Sequence, residues 1–163
     1  MSSETQTLSP VPAGGELKTE YAVQVEVEMY PVVSHAMAHN RISPVQRVIL
    51  HNRGGLRTGV EVRVVVRDGQ GVLSEPFAVH ADLEQGATTN LRDLAVHLDA
   101  AAMNQVEEAR PGTLEVVLLH EGEVIGSVTE PVHILAARQW LWQPSGLALE
   151  LLAADVMPNA PEV

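Results

Sequence analysis

Residues 56–67, Leu-Arg-Thr-Gly-Val-Glu-Val-Arg-Val-Val-Val-Arg, constrain the fold more than any other stretch. Val60, Val62, Val64 and Val66 fall on one parity, and Arg57, Glu61, Arg63, Val65 and Arg67 on the other. This period of two is that of a strand with one face in a core and one in water. A valine-rich segment also suits a pleated, half-buried surface. Asp68-Gly69-Gln70-Gly71 ends it with turn chemistry.

The scheme recurs along the chain. Tyr21–Met29 places Val23, Val25, Val27 and Met29 on one side, with Gln24, Glu26 and Glu28 on the other. Val45–Asn52 reads as a second strand. Arg53-Gly54-Gly55 is short enough to predict a hairpin from it into 56–67. Pro76–Leu83 and Thr88–Leu98 read as further strands, and Thr113–His120 with Glu123–Leu135 as a last hairpin around Glu121-Gly122. Asp99 is a candidate N-cap for a helix over Ala100–Ala109, stopped by Pro111-Gly112. Val32–Pro44 fits either a helical turn or an irregular strand. The expectation is an all-β sandwich, immunoglobulin- or fibronectin-like, of about seven strands. It carries a short inter-strand helix and a helical C-terminal extension over Leu147–Val156. The division is a tail at 1–20, a sandwich domain at 21–135 and an extension or hinge at 136–163.

A chain of 163 residues can bury a core without disulfide or metal. Aromatics are only 3% of it, so Val, Leu, Ile and Ala must build that core. There is no cysteine, which excludes a disulfide-pinned sandwich and any thiolate metal site and fits a cytoplasmic protein. No run is long and apolar enough to span a membrane. The formal charge is −11, which opposes broad non-specific binding to nucleic acid.

Catalytic signatures are sparse. No G-x-S-x-G elbow or P-loop occurs, and the single lysine, Lys18, lies in the tail. His35 and His39 would share a helical face, but no carboxylate in that turn completes a metal set. The reading is a non-enzymatic chain without cofactor. Arg57, Arg63 and Arg67 form a basic strip for nucleic acid, or else Arg63 and Arg67 are cross-strand partners of Glu26 and Glu28. Trp140 and Trp142 either cap the sandwich or mark a docking corner. Leu151 belongs to an apolar stripe with Leu147, Leu152 and Val156.

Four pieces together carry a resemblance. They are Leu73-Ser74-Glu75-Pro76-Phe77, the run Met103–Gly112 (MNQVEEARPG), Leu135–Leu141 (LAARQWL), and Leu147–Ala154 (LALELLAA) with Met157-Pro158-Asn159. Over residues 20–160 the chain resembles the N-terminal β-sandwich region of very large bacterial proteins, frequent in actinobacteria. Those proteins carry a domain of unknown function, a superfamily I helicase-type ATPase core and a restriction-endonuclease-like region. The resemblance implies a non-catalytic interaction module. Its surface would be a strand edge, the helix around Met103, Gln105 and Arg110, or the Trp140, Trp142 and Leu151 region. Its partner would be the parent's downstream domains, another protein or a second copy. The alternative is direct nucleic-acid binding through Arg57, Arg63 and Arg67.

Overall fold

The computed structural model describes residues 21–139. The expected tail, Trp140, Trp142, Leu151 and the helix over 147–156 lie outside the described residues.

Among the described residues eight strands and two short helices follow in the order β1 (Val23–Met29), β2 (Val32–Val33), α1 (His35–His39), β3 (Val45–Asn52), β4 (Arg57–Asp68), β5 (Ala78–Leu83), β6 (Thr88–Arg92), α2 (Ala100–Asn104), β7 (Arg110–His120) and β8 (Glu123–Ile134). They form two sheets. One has the order β1-β3-β6 and the other β2-β8-β7-β4-β5. All pairings are antiparallel except the two-residue β2, which runs parallel to the end of β8. The result is an all-β sandwich in which the chain repeatedly leaves one sheet for the other, as in immunoglobulin-like domains.

The core lies between the sheets. Val60, Val62, Val64 and Val66 of β4 are fully buried, and so are Leu114, Val116 and Leu118 of β7. Val23, Val48 and Leu50 face them from the smaller sheet. Burying each such side chain contributes about 1.5–3 kcal/mol relative to leaving it in water. At Gly126 a β-carbon would stand 2.6 Å from the Val23 carbonyl oxygen, so the β1 and β8 edges meet only because that position has no side chain. Glu121 and Gly122 both have positive φ, 51° and 83°, the twist that a two-residue hairpin between β7 and β8 needs.

The structure corrects several expectations. β3 and β4 are not a hairpin, because they belong to opposite sheets. Asn52, only 2% exposed, fixes the crossing. Its Nδ2 donates to the carbonyls of Gly55 (2.8 Å), Leu83 (3.2 Å) and Glu84 (3.0 Å), and its Oδ1 accepts from Gly54 N–H at 3.1 Å. These bonds tie the end of β3 to the end of β5 and turn the chain across the sandwich.

β6 stops at Arg92, where Asp93 takes a φ of 54°. Leu94, Val96 and Leu98 still bury their side chains from an irregular segment held by the Ser74–Leu98 bridge. Asp99 caps α2 as expected, accepting from Ala102 N–H at 3.0 Å. The helix ends at Asn104 rather than Ala109, because the Val106 carbonyl is taken by Ala137 N–H at 2.8 Å. Pro111 and Gly112, expected to stop a helix, lie inside β7. Val32–Pro44 contains both a two-residue strand and a short helix capped by Ser34.

Asn52→Ala is expected to lower unfolding free energy by about 1–3 kcal/mol, since it removes the amide donor from the buried Leu83 carbonyl and the acceptor from Gly54 N–H. Asn52→Asp, which sets a carboxylate oxygen against three carbonyl oxygens, should cost at least as much. Urea unfolding of the full chain measures both. A loss below about 0.5 kcal/mol, the range of ordinary surface substitutions, would remove Asn52 from this role.

Candidate functional site

Strand alternation puts Glu61, Arg63, Val65 and Arg67 on the face of β4 opposite the buried valines. Register then shows what lies beside them. Leu119 of β7 stands opposite Glu61, Val117 opposite Arg63, and Glu115 opposite Val65. On the far side of β7, Leu119 meets Val124, Val117 meets Ser127 and Glu115 meets Thr129 of β8. Val65, Val117 and Leu119 are half-buried, and Val124 is 46% exposed. None of the four packs on the inter-sheet core. The outer face of the five-stranded sheet therefore carries an apolar patch on its three central strands.

Charged residues interleave with that patch, since Arg63 stands opposite Val117 and Glu115 opposite Val65. Arg63 Nε donates to Glu61 Oε1 at 2.6 Å, and Arg67 Nη2 lies 3.3 Å from Glu115 Oε2. The Arg63 bond holds the Glu61 carboxyl below the usual carboxylate range. Arg57 donates to Asn52 Oδ1 (3.2 Å) and to the Gly55 carbonyl (3.3 Å) at the corner between sheets. All three arginines of the basic strip thus have partners within their own domain. For Arg63 and Arg67 those partners are not the expected Glu26 and Glu28. Glu28 pairs with Arg47, and Glu26 lies 3.2 Å from His51 Nε2, because β1 and β4 are in different sheets.

The helix around Met103 also differs from expectation. Met103 is completely buried and supplies core, not surface. It points inward because the Asp99 cap lays α2 against the sandwich. Gln105 is exposed at the end of α2, while Arg110 opens β7 and bonds Asp68 Oδ2 at 2.6 Å. Burial pushes the Asp68 carboxyl up, but the backbone N–H groups of Gln70 and Gly71 and the Arg110 guanidinium outweigh it, so the net direction is down.

One cluster was invisible to sequence reading. On the outer face of the smaller sheet, His51 Nδ1 lies 2.9 Å from Thr88 Oγ1 while its Nε2 approaches Glu26. This links a carboxylate, an imidazole and a hydroxyl across three strands. Only strand register assembles it, since the residues are 25 and 37 positions apart with no motif. Glu26 is 52% exposed, so water competes for the row, which serves as cross-strand pairing. His35 and His39 do share one helical face, with ring centroids 6.3 Å apart. Among the described residues no group of three or more His, Cys, Asp or Glu side chains is arranged to hold a metal ion. No helix among them is long and apolar enough to cross a membrane.

No family model and no curated protein matches the chain. Among solved structures, a protein of Bacteroides fragilis described as a β-galactosidase is similar over 68% of this chain at 16% identity, with a TM-score of 0.41. The similar region is 15% of that protein's length.

The depressed Asp68 carboxyl contributes stability above the ordinary carboxylate range, and that contribution is lost as pH falls through its lowered folded value. Asp68→Asn is therefore expected to be less stable than wild type near neutral pH and to lose less stability between roughly pH 4 and pH 2. Urea midpoints across that range test it. Parallel pH profiles for the two proteins would contradict it.

Proposed function

We propose that the chain is a non-catalytic interaction module that docks through the outer face of its five-stranded sheet. The observation that carries this reading is the register of Val65, Val117, Leu119 and Val124, which makes one apolar patch on a face no other described element covers. A non-obligate protein–protein contact is about as apolar as the rest of a protein surface, so a face shared between apolar and paired charged side chains is compatible with one. The resemblance to the N-terminal region of helicase–nuclease proteins supports the same role, with the partner a downstream domain of such a protein. A cysteine-free chain suits action in the cytoplasm.

The arginine-strip alternative has less support. Phosphate binding would have to separate Arg63 and Arg67 from Glu61 and Glu115 in a chain of net charge −11.

Proximity labelling with the wild-type chain and with Val117→Glu plus Leu119→Glu tests the proposal. Both side chains point away from the core, so the double variant is expected to keep its circular dichroism spectrum and lose at least tenfold of specific partner enrichment. An unchanged partner set with a folded variant would overturn this face as the docking surface. For the alternative, Arg63→Ala plus Arg67→Ala would reduce both DNA retention at low salt and its salt dependence.

A further inference from the structure

Strand β6 closes one side of the smaller sheet, and half of its backbone is unpaired. Its one neighbour in the order β1-β3-β6 is β3. Asn52 N–H donates to the Ala87 carbonyl at 3.0 Å. That bond sets the alternation of the antiparallel ladder. Thr89 and Leu91 exchange bonds with Leu50 and Val48, while Thr88, Asn90 and Arg92 turn their N–H and C=O away from β3. Among the described residues no donor or acceptor meets those outward groups. Their spacing is that of one side of a ladder, which another extended backbone matches in full.

The other described edges are obstructed or carry a different charge. At β1 the Val23 carbonyl also points away from β3, but it abuts Gly126 of β8, and a register shift between Glu28 and Met29 breaks the far end. β2 has two residues. β5 carries Asp82 and no arginine. β6 pairs with β3 in continuous register and has neither the proline nor the bulge with which edges repel a further strand. Its charge selects the kind of strand. Arg92 is exposed at its end, in a row that runs Glu28, Arg47, Arg92 across the sheet. The Glu28 carboxylate already bonds Arg47. Neither Glu28 nor the adjacent Asp93 bonds Arg92, which has no acid partner among the described residues of a chain of net charge −11. On the other parity Leu91 packs against the core and Thr89 is half-buried. Alternate side chains of an added strand would therefore lie beside the mouth of the sandwich.

We propose that the free edge of β6 binds an extended acidic peptide by strand addition. The peptide backbone pairs with Thr88, Asn90 and Arg92, a peptide carboxylate stands beside Arg92, and apolar residues occupy the alternate positions. The backbone bonds supply affinity, and the Arg92 pair supplies selection. This contact lies on the three-stranded sheet and does not rest on the docking face of the other.

Amide hydrogen exchange of the full chain, read residue by residue by NMR, tests the proposal with the probe peptide Ser-Val-Thr-Val-Glu-Val-Ser. In the free protein the amides of Thr88, Asn90 and Arg92 are expected to exchange at least tenfold faster than those of Thr89 and Leu91. Saturating peptide should slow the first three by at least tenfold. Replacing the peptide's glutamate by glutamine should weaken binding about two- to fivefold, the range of a cross-strand charge pair. In Arg92→Gln, a surface substitution, the two peptides should bind equally. Slow exchange at Thr88, Asn90 and Arg92 in the free chain would mean that the chain itself already occupies the edge, and would overturn the proposal. So would exchange that the peptide leaves unchanged, equal binding of the two peptides to wild type, or a preference for glutamate that survives Arg92→Gln.

Discussion

Everything in this domain depends on the inner row of β4. Val60, Val62, Val64 and Val66 lie at zero exposure on a strand flanked by β5 and β7. Because side chains alternate, the burial that fixes these four also fixes the aim of Glu61, Arg63, Val65 and Arg67. A slip of one residue would drive two arginines and a glutamate into the core, so the outer face is as tightly specified as the inner one. The apolar patch proposed for docking is thus set by packing beneath it.

Buried polar groups settle how the sheets connect. Apolar packing is non-directional and would tolerate several strand orders. Asn52 selects one, by spending its amide on three carbonyls at the junction of β3, the following corner and β5. Ser74, 6% exposed, plays the corresponding part further along, accepting from Val66 N–H at 2.9 Å where β4 runs out of a β5 partner. Asp68 closes the next turn by accepting from Gln70, Gly71 and Arg110. Each group leaves a backbone donor or acceptor unpaired if removed, which is why a few polar side chains direct a largely aliphatic core.

Much of this was legible in the sequence, and the rest was not for identifiable reasons. Alternation located β1, β3, β4, β7 and β8 nearly to their ends, because half-burial writes a period of two into the residues themselves. The Asp99 cap and the Glu121-Gly122 turn were legible because their chemistry is local. Sheet membership was not. A short glycine loop between two strands is the signature of a hairpin, and only Asn52's contacts with residues 83 and 84 reveal a crossing. The charge pairs failed with it, since Arg63 and Arg67 face acids of their own sheet and not those of β1. Met103 sat in a stretch of helix formers whose length was overestimated, and its burial follows from packing rather than from pattern. The candidate face escaped detection because Val65, Val117 and Leu119 look like ordinary strand valines and leucines until register sets them side by side.

The account separates the two faces of one strand: the inner builds the core and the outer is left for docking. Urea unfolding of Val64→Thr and Val65→Thr, measured side by side, tests that separation most directly. Both substitutions keep the shape of the side chain and add one hydroxyl. Val64→Thr buries that hydroxyl without a partner and is predicted to cost about 1–3 kcal/mol. Val65→Thr places it on the outer face and is predicted to stay within about 0.5 kcal/mol of wild type. Equal losses at the two positions would mean that the outer face is as much a part of the folded core as the inner one, and would contradict its assignment as a docking surface.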